Sequence, residues 1–213
     1  MLFRSNPLTF ALPTDEEFPF CIDCATSITQ RGKIEFYARS GQDTPAGMVI
    51  GHDGSAMTDS EQILKDLTAG QAALAPLGGI GEELAGYKGY GYAAVVEILS
   101  AALQGGACLK GLCGVDEQGN KKPYGLGHFF MVINPEFFMG EEAFRKTTGD
   151  ILRALRASEK APGEDRSYTA GEKEYLVWQE RKDKGVPVGE AVQKEFIGIR
   201  DKYHLPFTFP FEQ

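Results

Sequence analysis

The sequence has no long hydrophobic run, only three histidines, a single tryptophan and no excess of basic charge. Each shortage excludes a class of protein. No window approaches the roughly 18 apolar residues that a membrane helix needs. The longest apolar stretch, Ala93 to Leu103, is broken by Glu97 and Ser100, so a soluble chain with no membrane partner is expected. Residues 1–12 carry Arg4 and Pro7 without the apolar segment of a secretory signal, and no Asn-x-Ser/Thr sequon occurs. Lysine and arginine total 22 against 30 aspartates and glutamates, a net charge of −8 that repels phosphate backbones and anionic membranes. Nucleic acid is therefore not an expected partner, and a small anionic ligand would need a local cationic or helix-terminus site. Four cysteines in 213 residues do not make a disulfide framework, which points to a reducing cytoplasm. No serine lies in a nucleophile elbow and no glycine-rich loop ends in Gly-Lys-Ser/Thr, so hydrolase and nucleoside-triphosphatase readings have no support.

What is present is ordinary globular composition, 42% hydrophobic, 24% charged and 11% aromatic over 213 residues. A chain of this length buries roughly two-thirds of its unfolded surface and builds a core without staples. Leu8 to Leu12, Phe18 to Cys24 and Lys33 to Arg39 are rich in aromatic and β-branched residues and read as adjacent strands. Between Ser40 and Gly81 the sequence predicts a loop, a turn at His52-Asp53-Gly54, and a short helix from Ser60 to Leu67 capped by Thr58 or Ser60. Tyr90 to Leu103 reads as a helix buried on most of its faces and ended by Gly105-Gly106. The run from Gly127 to Asn134, containing His128 to Ile133, reads as a strand buried on both sides. Amphipathic helices follow over 140–158, 170–184 and 188–203. Strands come first and most helices later, without regular alternation, so the fold class is α+β.

Cys21 and Cys24 form a C-x-x-C, and with Cys108 and Cys113 they raise a structural zinc site. Residues three apart on a strand point to opposite faces, which argues for buried apolar thiols instead, with no metal. The three histidines have no metal-like spacing: His52 falls in a turn, and His128 at a strand start reads as a hydrogen-bonded structural residue. The segment from Pro76 to Gly91 holds six glycines and Lys88 just before the expected helix. Bare backbone N–H groups, a helix N-terminus and a lysine suit a phosphate, whereas tight turns and close helix packing account for the glycines equally well. The dinucleotide fingerprint of a doubly wound sheet is not met, since no strand runs straight into these glycines.

Asn6-Pro7-Leu8, Ile22-Asp23-Cys24-Ala25-Thr26-Ser27 followed by Gly32-Lys33, Tyr87-Lys88-Gly89-Tyr90-Gly91, Ile133-Asn134-Pro135 and Pro162-Gly163-Glu164 occur in one order over nearly the whole chain. Together they resemble the type 2 malate/L-lactate dehydrogenase family, which also contains ureidoglycolate, sulfolactate and diketogulonate dehydrogenases. The resemblance implies a non-Rossmann sheet with C-terminal helices, a homodimer, and interconversion of a small 2-hydroxy acid and 2-oxo acid with NAD or NADP. It implies a cofactor-binding sheet domain over 1–139, with its buried helix at 90–104, and C-terminal helices over 140–213 packing on it.

Carried over by motif, Asp23, Ala25, Thr26 and Ser27 form a strand-end loop touching the cofactor. Tyr87 and Lys88 are an aromatic and lysine pair beside it, and Gly163, Glu164 and Asp165 form a loop closing over it. Short hydroxyls, a cation for phosphate or carboxylate, and a carboxylate for ribose hydroxyls are the chemistry these residues offer. The family's proton-donor histidine lies upstream of the Asn-Pro motif, and no histidine of this chain matches it. The expectation is a shortened chain, inactive alone. The alternative is a non-catalytic dinucleotide-binding or interaction protein.

Overall fold

A computed structural model describes residues 6–116 and 118–212. Leu8–Leu12 (β1) and Phe20–Cys24 (β2) pair antiparallel, with Leu8 opposite Cys24 and Leu12 opposite Phe20. The intervening turn is closed by Thr14, whose hydroxyl donates to Phe18 O at 2.7 Å and accepts from the Glu16 amide at 3.1 Å. Both strands fall within segments whose aromatic and β-branched content predicts them, the second beginning at Phe20 rather than Phe18.

The third expected strand is a helix. Arg31–Arg39 (α1) buries Ile34 completely and half-buries Tyr37 and Ala38. These positions fall at i, i+3 and i+4, a helical stripe that outranks the β propensity of so short a segment. The region expected to be a loop instead forms a second sheet, Val49–Gly51 (β3) antiparallel to Ala72–Leu74 (β4). Ser60–Ala69 (α2) lies between these strands in sequence, and its N-cap is Asp59 rather than Thr58 or Ser60. The Asp59 side chain accepts from the Gln62 amide at 2.9 Å. Ser60 is buried and donates instead to Gln42 O at 2.7 Å, with Thr44 Oγ1 2.9 Å away. Ile34, Val49, Ile63 and Ala72 form the core between α1, α2 and this sheet, with Met48, Met57, Leu64, Leu67 and Leu74 packed around it.

Gly86–Ala101 (α3) runs on through a 3-10 turn, Ala102–Gln104, to a left-handed Gly105 at φ 66°, so the glycine stop reads as expected. Its burial does not. Among its described residues only Gly86, Gly89, Ala93 and Ala101 are buried, a stripe of small side chains, while Tyr90, Tyr92, Val95 and Ile98 are exposed. The expected buried strand over 127–134 is likewise corrected. It is extended, pairs with no strand among the described residues, and leaves Phe130 85% and Val132 92% exposed. A continuous apolar run specifies burial on two faces only when elements cover both; here the end of α3 approaches Gly127 and His128, with Gln104 donating to His128 O at 2.8 Å, and the residues beyond stay exposed.

Asn134 caps the following 3-10 turn, Pro135–Phe137, by accepting from the Glu136 amide at 3.0 Å. Glu141–Arg156 (α4) is tied to the β1–β2 turn by Arg153, which bonds Asp15, Glu16 and Asp150, and by Arg156, which bonds Glu16 and Thr169. The chain divides into two compact units between Gly171 and Glu172, so α4 belongs to the first. The second unit carries Glu172–Arg181 (α5) and Glu190–Lys202 (α6), with the chain between them turning at Gly185, φ 89°. Within that unit Arg200 holds Glu212, Nη1 to Oε1 at 2.7 Å, and Phe207, Phe209 and Phe211 pack ring against ring. The architecture is a mixture of helices and two small antiparallel sheets.

Candidate functional site

The residues leaving β2 run directly alongside the entry to α3. Ser27 pairs with Pro76 in an antiparallel bridge, the Leu77 amide donates to Thr26 O at 2.9 Å, and the Ile28 amide donates to Ala75 O at 2.8 Å. Ala25, Thr26 and Ser27 are all buried, Thr26 to 2% exposure. The Thr26 hydroxyl donates to Asn6 O at 3.0 Å and the Ser27 hydroxyl to Thr29 O at 2.6 Å. Each donor is thus committed to the backbone, while the hydroxyl oxygens keep acceptor capacity. Asp23 stands on the exposed face of β2, where its Oδ1 accepts from Thr9 Oγ1 at 2.7 Å.

The glycines explain how α3 comes so close. A Cβ on Gly89 would overlap the backbone N and O of Leu77, and one on Gly86 would overlap Gly79 O. Only hydrogen side chains allow the first turns of α3 to lie on the 76–79 segment. At these two positions the glycines therefore serve close packing. Gly91, facing open space, has no such need. The helix starts after Ala85, in left-handed geometry at φ 59°, without a side-chain cap.

Tyr87, 60% exposed, and Lys88 emerge from this start, with Lys88 Nζ 5.9 Å from the Tyr87 ring centroid. The 26–28 segment is thus bonded to 75–77, and the first turns of α3 lie on 76–79 through Gly86 and Gly89, while Tyr87 and Lys88 project to solvent from the helix face turned away from Leu77. Gly163, Glu164 and Asp165 form a separate exposed turn, closed by the Glu164 amide on Ala161 O at 3.0 Å with Gly163 at φ 86°.

His52 is exposed in its turn, and His128 is exposed and stacked 6.2 Å from Phe130 rather than held in a core. All four cysteines are free thiols, and among the described residues no group of three or more His, Cys, Asp and Glu side chains gathers as for a metal.

The site also contains two residues that motif reading did not assign. Asn6 and Glu97 are bonded to each other at 2.9 Å and tie the approach to β1 to α3. Their sequence signals are the Asn6-Pro7-Leu8 motif, to which no role is attached, and an acidic residue interrupting an apolar helix.

Residues 1–196 match the family model described as malate/L-lactate dehydrogenase. The chain is 37% identical over 198 residues to a malate dehydrogenase of Pyrococcus horikoshii, covering 93% of this chain and 52% of that protein. It is 33% identical over 200 residues to a Delta(1)-pyrroline-2-carboxylate/Delta(1)-piperideine-2-carboxylate reductase of Pseudomonas putida, covering 94% and 52%. Its fold superposes on a crystal structure of malate dehydrogenase from Entamoeba histolytica with a TM-score of 0.87 at 38% identity, covering 95% of this chain and 56% of that one. The chain spans about half the length of the curated relatives it matches.

Proposed function

The chain belongs to the malate/L-lactate dehydrogenase family, and from that premise we propose that it carries the dinucleotide-binding part of an oxidoreductase acting on small 2-hydroxy and 2-oxo acids with NAD or NADP. The observation that carries this reading is the joining of the Ala25–Ser27 segment to the start of α3 through Leu77, with Tyr87 and Lys88 exposed on the first turn of that helix. An exposed lysine at an uncapped helix start is a suitable partner for a pyrophosphate in a chain whose overall charge opposes anions. Tyr87 offers a flat apolar face for a ring, and the Ala25–Ser27 backbone forms a rigid wall because its bonds to Leu77 and Ala75 hold it. Glu164, at the tip of an exposed turn, is an acceptor for ribose hydroxyls, with Gly163 and Asp165 shaping that turn.

When bound, the nicotinamide donates or accepts the hydride. The chain's own residues bind and orient: Lys88 neutralises phosphate charge, Tyr87 and the Ala25–Ser27 wall exclude water from one side, and Asp23 lies at the strand end beside them. The non-Rossmann sheet fits the two antiparallel sheets described above. The four free thiols suit a reducing cytoplasm, and the homodimer rests on the family resemblance. A non-catalytic dinucleotide-binding or interaction protein is the second reading, favoured by the exposed apolar strip around Phe130 and Val132.

Fluorescence titration with NADH and NADPH, followed by turnover assays with oxaloacetate and pyruvate, tests the reading. Saturable binding without turnover is the expected outcome for a dinucleotide-binding part that is inactive alone, turnover excludes the non-catalytic reading and overturns the expectation of inactivity, and absence of binding overturns both dinucleotide assignments.

A further inference from the structure

Glu97 interrupts the apolar sequence of α3, and both oxygens of its carboxylate are engaged. Asn6 Nδ2 donates to Oε2 at 2.9 Å and the Leu109 amide donates to Oε1 at 2.6 Å. Asn6 Nδ2 also donates to Ala93 O at 3.0 Å, so both of its amide hydrogens are placed on α3. The Asn6 backbone lies at φ 40°, a left-handed conformation that asparagine tolerates better than most residues. From that conformation its carbonyl accepts the Thr26 hydroxyl at 3.0 Å, and the Thr26 carbonyl accepts the Leu77 amide at 2.9 Å. Leu77 lies against Gly89, at the start of the same helix. A chain of bonds therefore leaves α3 at Glu97, passes through Asn6, Thr26 and Leu77, and returns to α3 about 12 Å nearer its N-terminus, at 1.5 Å per helical residue.

We propose that Glu97 is a positioning residue for the candidate dinucleotide site: by holding Asn6 against α3 it fixes Thr26, and with it the Ala25–Ser27 wall, at a set distance from Tyr87 and Lys88. The inference rests on the dinucleotide reading only for its ligand; the bond chain stands independently of it. Two donors converge on two oxygens of one carboxylate, an arrangement that the isosteric amide cannot reproduce. A glutamine has one acceptor oxygen and presents its own N–H groups to the second donor. Mismatching such a group leaves the part-buried Asn6 amide facing an N–H group instead of an acceptor, while the exposed Leu109 amide can turn to water.

The test uses the full chain and the variants Glu97→Gln, Asn6→Ala and their combination, with Glu61→Gln on the exposed side of α2 as control. Hydrogen-exchange protection of the Leu77 amide and the dissociation constant for NADH are read alongside the thermal midpoint. Glu97→Gln is expected to lower Leu77 protection and raise the NADH dissociation constant each about tenfold. The double variant is expected to be no worse than the more severe single one, because both break the same chain. Leu77 protection and NADH affinity within about twofold of wild type, with only the Leu109 amide deprotected, would overturn the proposal. If Glu97→Gln fails to fold, Asn6→Ala, which spares the Glu97–Leu109 bond, carries the same test. If the parent chain binds neither NADH nor NADPH, the dinucleotide reading fails, while the Leu77 protection ratio still decides whether Glu97 positions Thr26.

Discussion

The guanidinium of Arg153 grips both carboxylate oxygens of Asp15, Nη1 to Oδ1 at 3.0 Å and Nη2 to Oδ2 at 3.1 Å. This fork joins the β1–β2 turn to α4 across 138 positions of sequence. Arg153 also donates to Asp150 at 2.8 Å and to Glu16 at 3.2 Å, so one guanidinium holds three carboxylates.

That sharing sets a pH dependence. The hydrogen bonds from Arg153 hold the Asp15 carboxyl below its ordinary value of 3.8, and Arg153 with Lys146 does the same for Asp150. A carboxylate with a depressed folded-state pKa contributes stability that is present above its unfolded value and is lost as pH falls through the folded one. The stability difference between wild type and Arg153→Gln, read from urea midpoints, should therefore be fully present above the ordinary carboxylate value of 3.8 and be lost as pH falls below it. Asp15 and Asp150 are solvent-exposed, so their share of the difference should also shrink with added salt.

Gly149 lies under this pair, and a Cβ there would overlap Asp15 Oδ1. An alanine in a helix interior is favoured over glycine by about 1 kcal/mol. Gly149→Ala should realise that gain in an Asp15→Ala background and not in wild type, where the Asp15–Arg153 fork must first give way. A double-mutant cycle by chemical denaturation measures this non-additivity.

Two glycines of α3, two residues apart, should respond oppositely to alanine. At Gly89 the new methyl meets the Leu77 backbone, which cannot swing aside, and a loss of about 1–3 kcal/mol is expected. At Gly91 nothing lies within 4 Å, and a gain of about 1 kcal/mol is expected. Thermal or urea unfolding of the two variants checks both signs.

Val132 and Ile34 are both β-branched residues in apolar sequence, yet one is 92% exposed and the other fully buried. Val132→Ser should change stability by less than about 0.5 kcal/mol, whereas Ile34→Ala should cost about 2–5 kcal/mol through the cavity it leaves. Comparable losses at both positions would show that the strip around Val132 is covered in solution.

Lys88→Ala should weaken NADH binding about tenfold, the loss of one charge-assisted contact, and should flatten its dependence on salt. Unchanged affinity in a fluorescence titration would remove Lys88 from the site.

The sequence by itself determined the elements whose signals are local. The aromatic and β-branched composition of β1 and β2, the glycine stop after α3, the turn at His52-Asp53-Gly54 and the three late helices each depend on residues within a few positions of one another. The order of the Asp23–Ser27 and Tyr87–Lys88 motifs was legible as well. Tertiary structure decided what depends on neighbours distant in sequence. Ile34 had to find Val49 and Ile63 before a segment with strand-like composition became a helix. The apolar run around Val132 was left extended and exposed, because composition specifies a preference for burial and not the element that provides it. The site followed the same rule. Thr26 meets Leu77, and Leu77 meets Gly89, only through backbone contacts that leave no mark in side-chain patterning. The bond from Asn6 to Glu97 spans 91 residues, a separation at which hydrogen-bonding geometry can be read only from the folded chain.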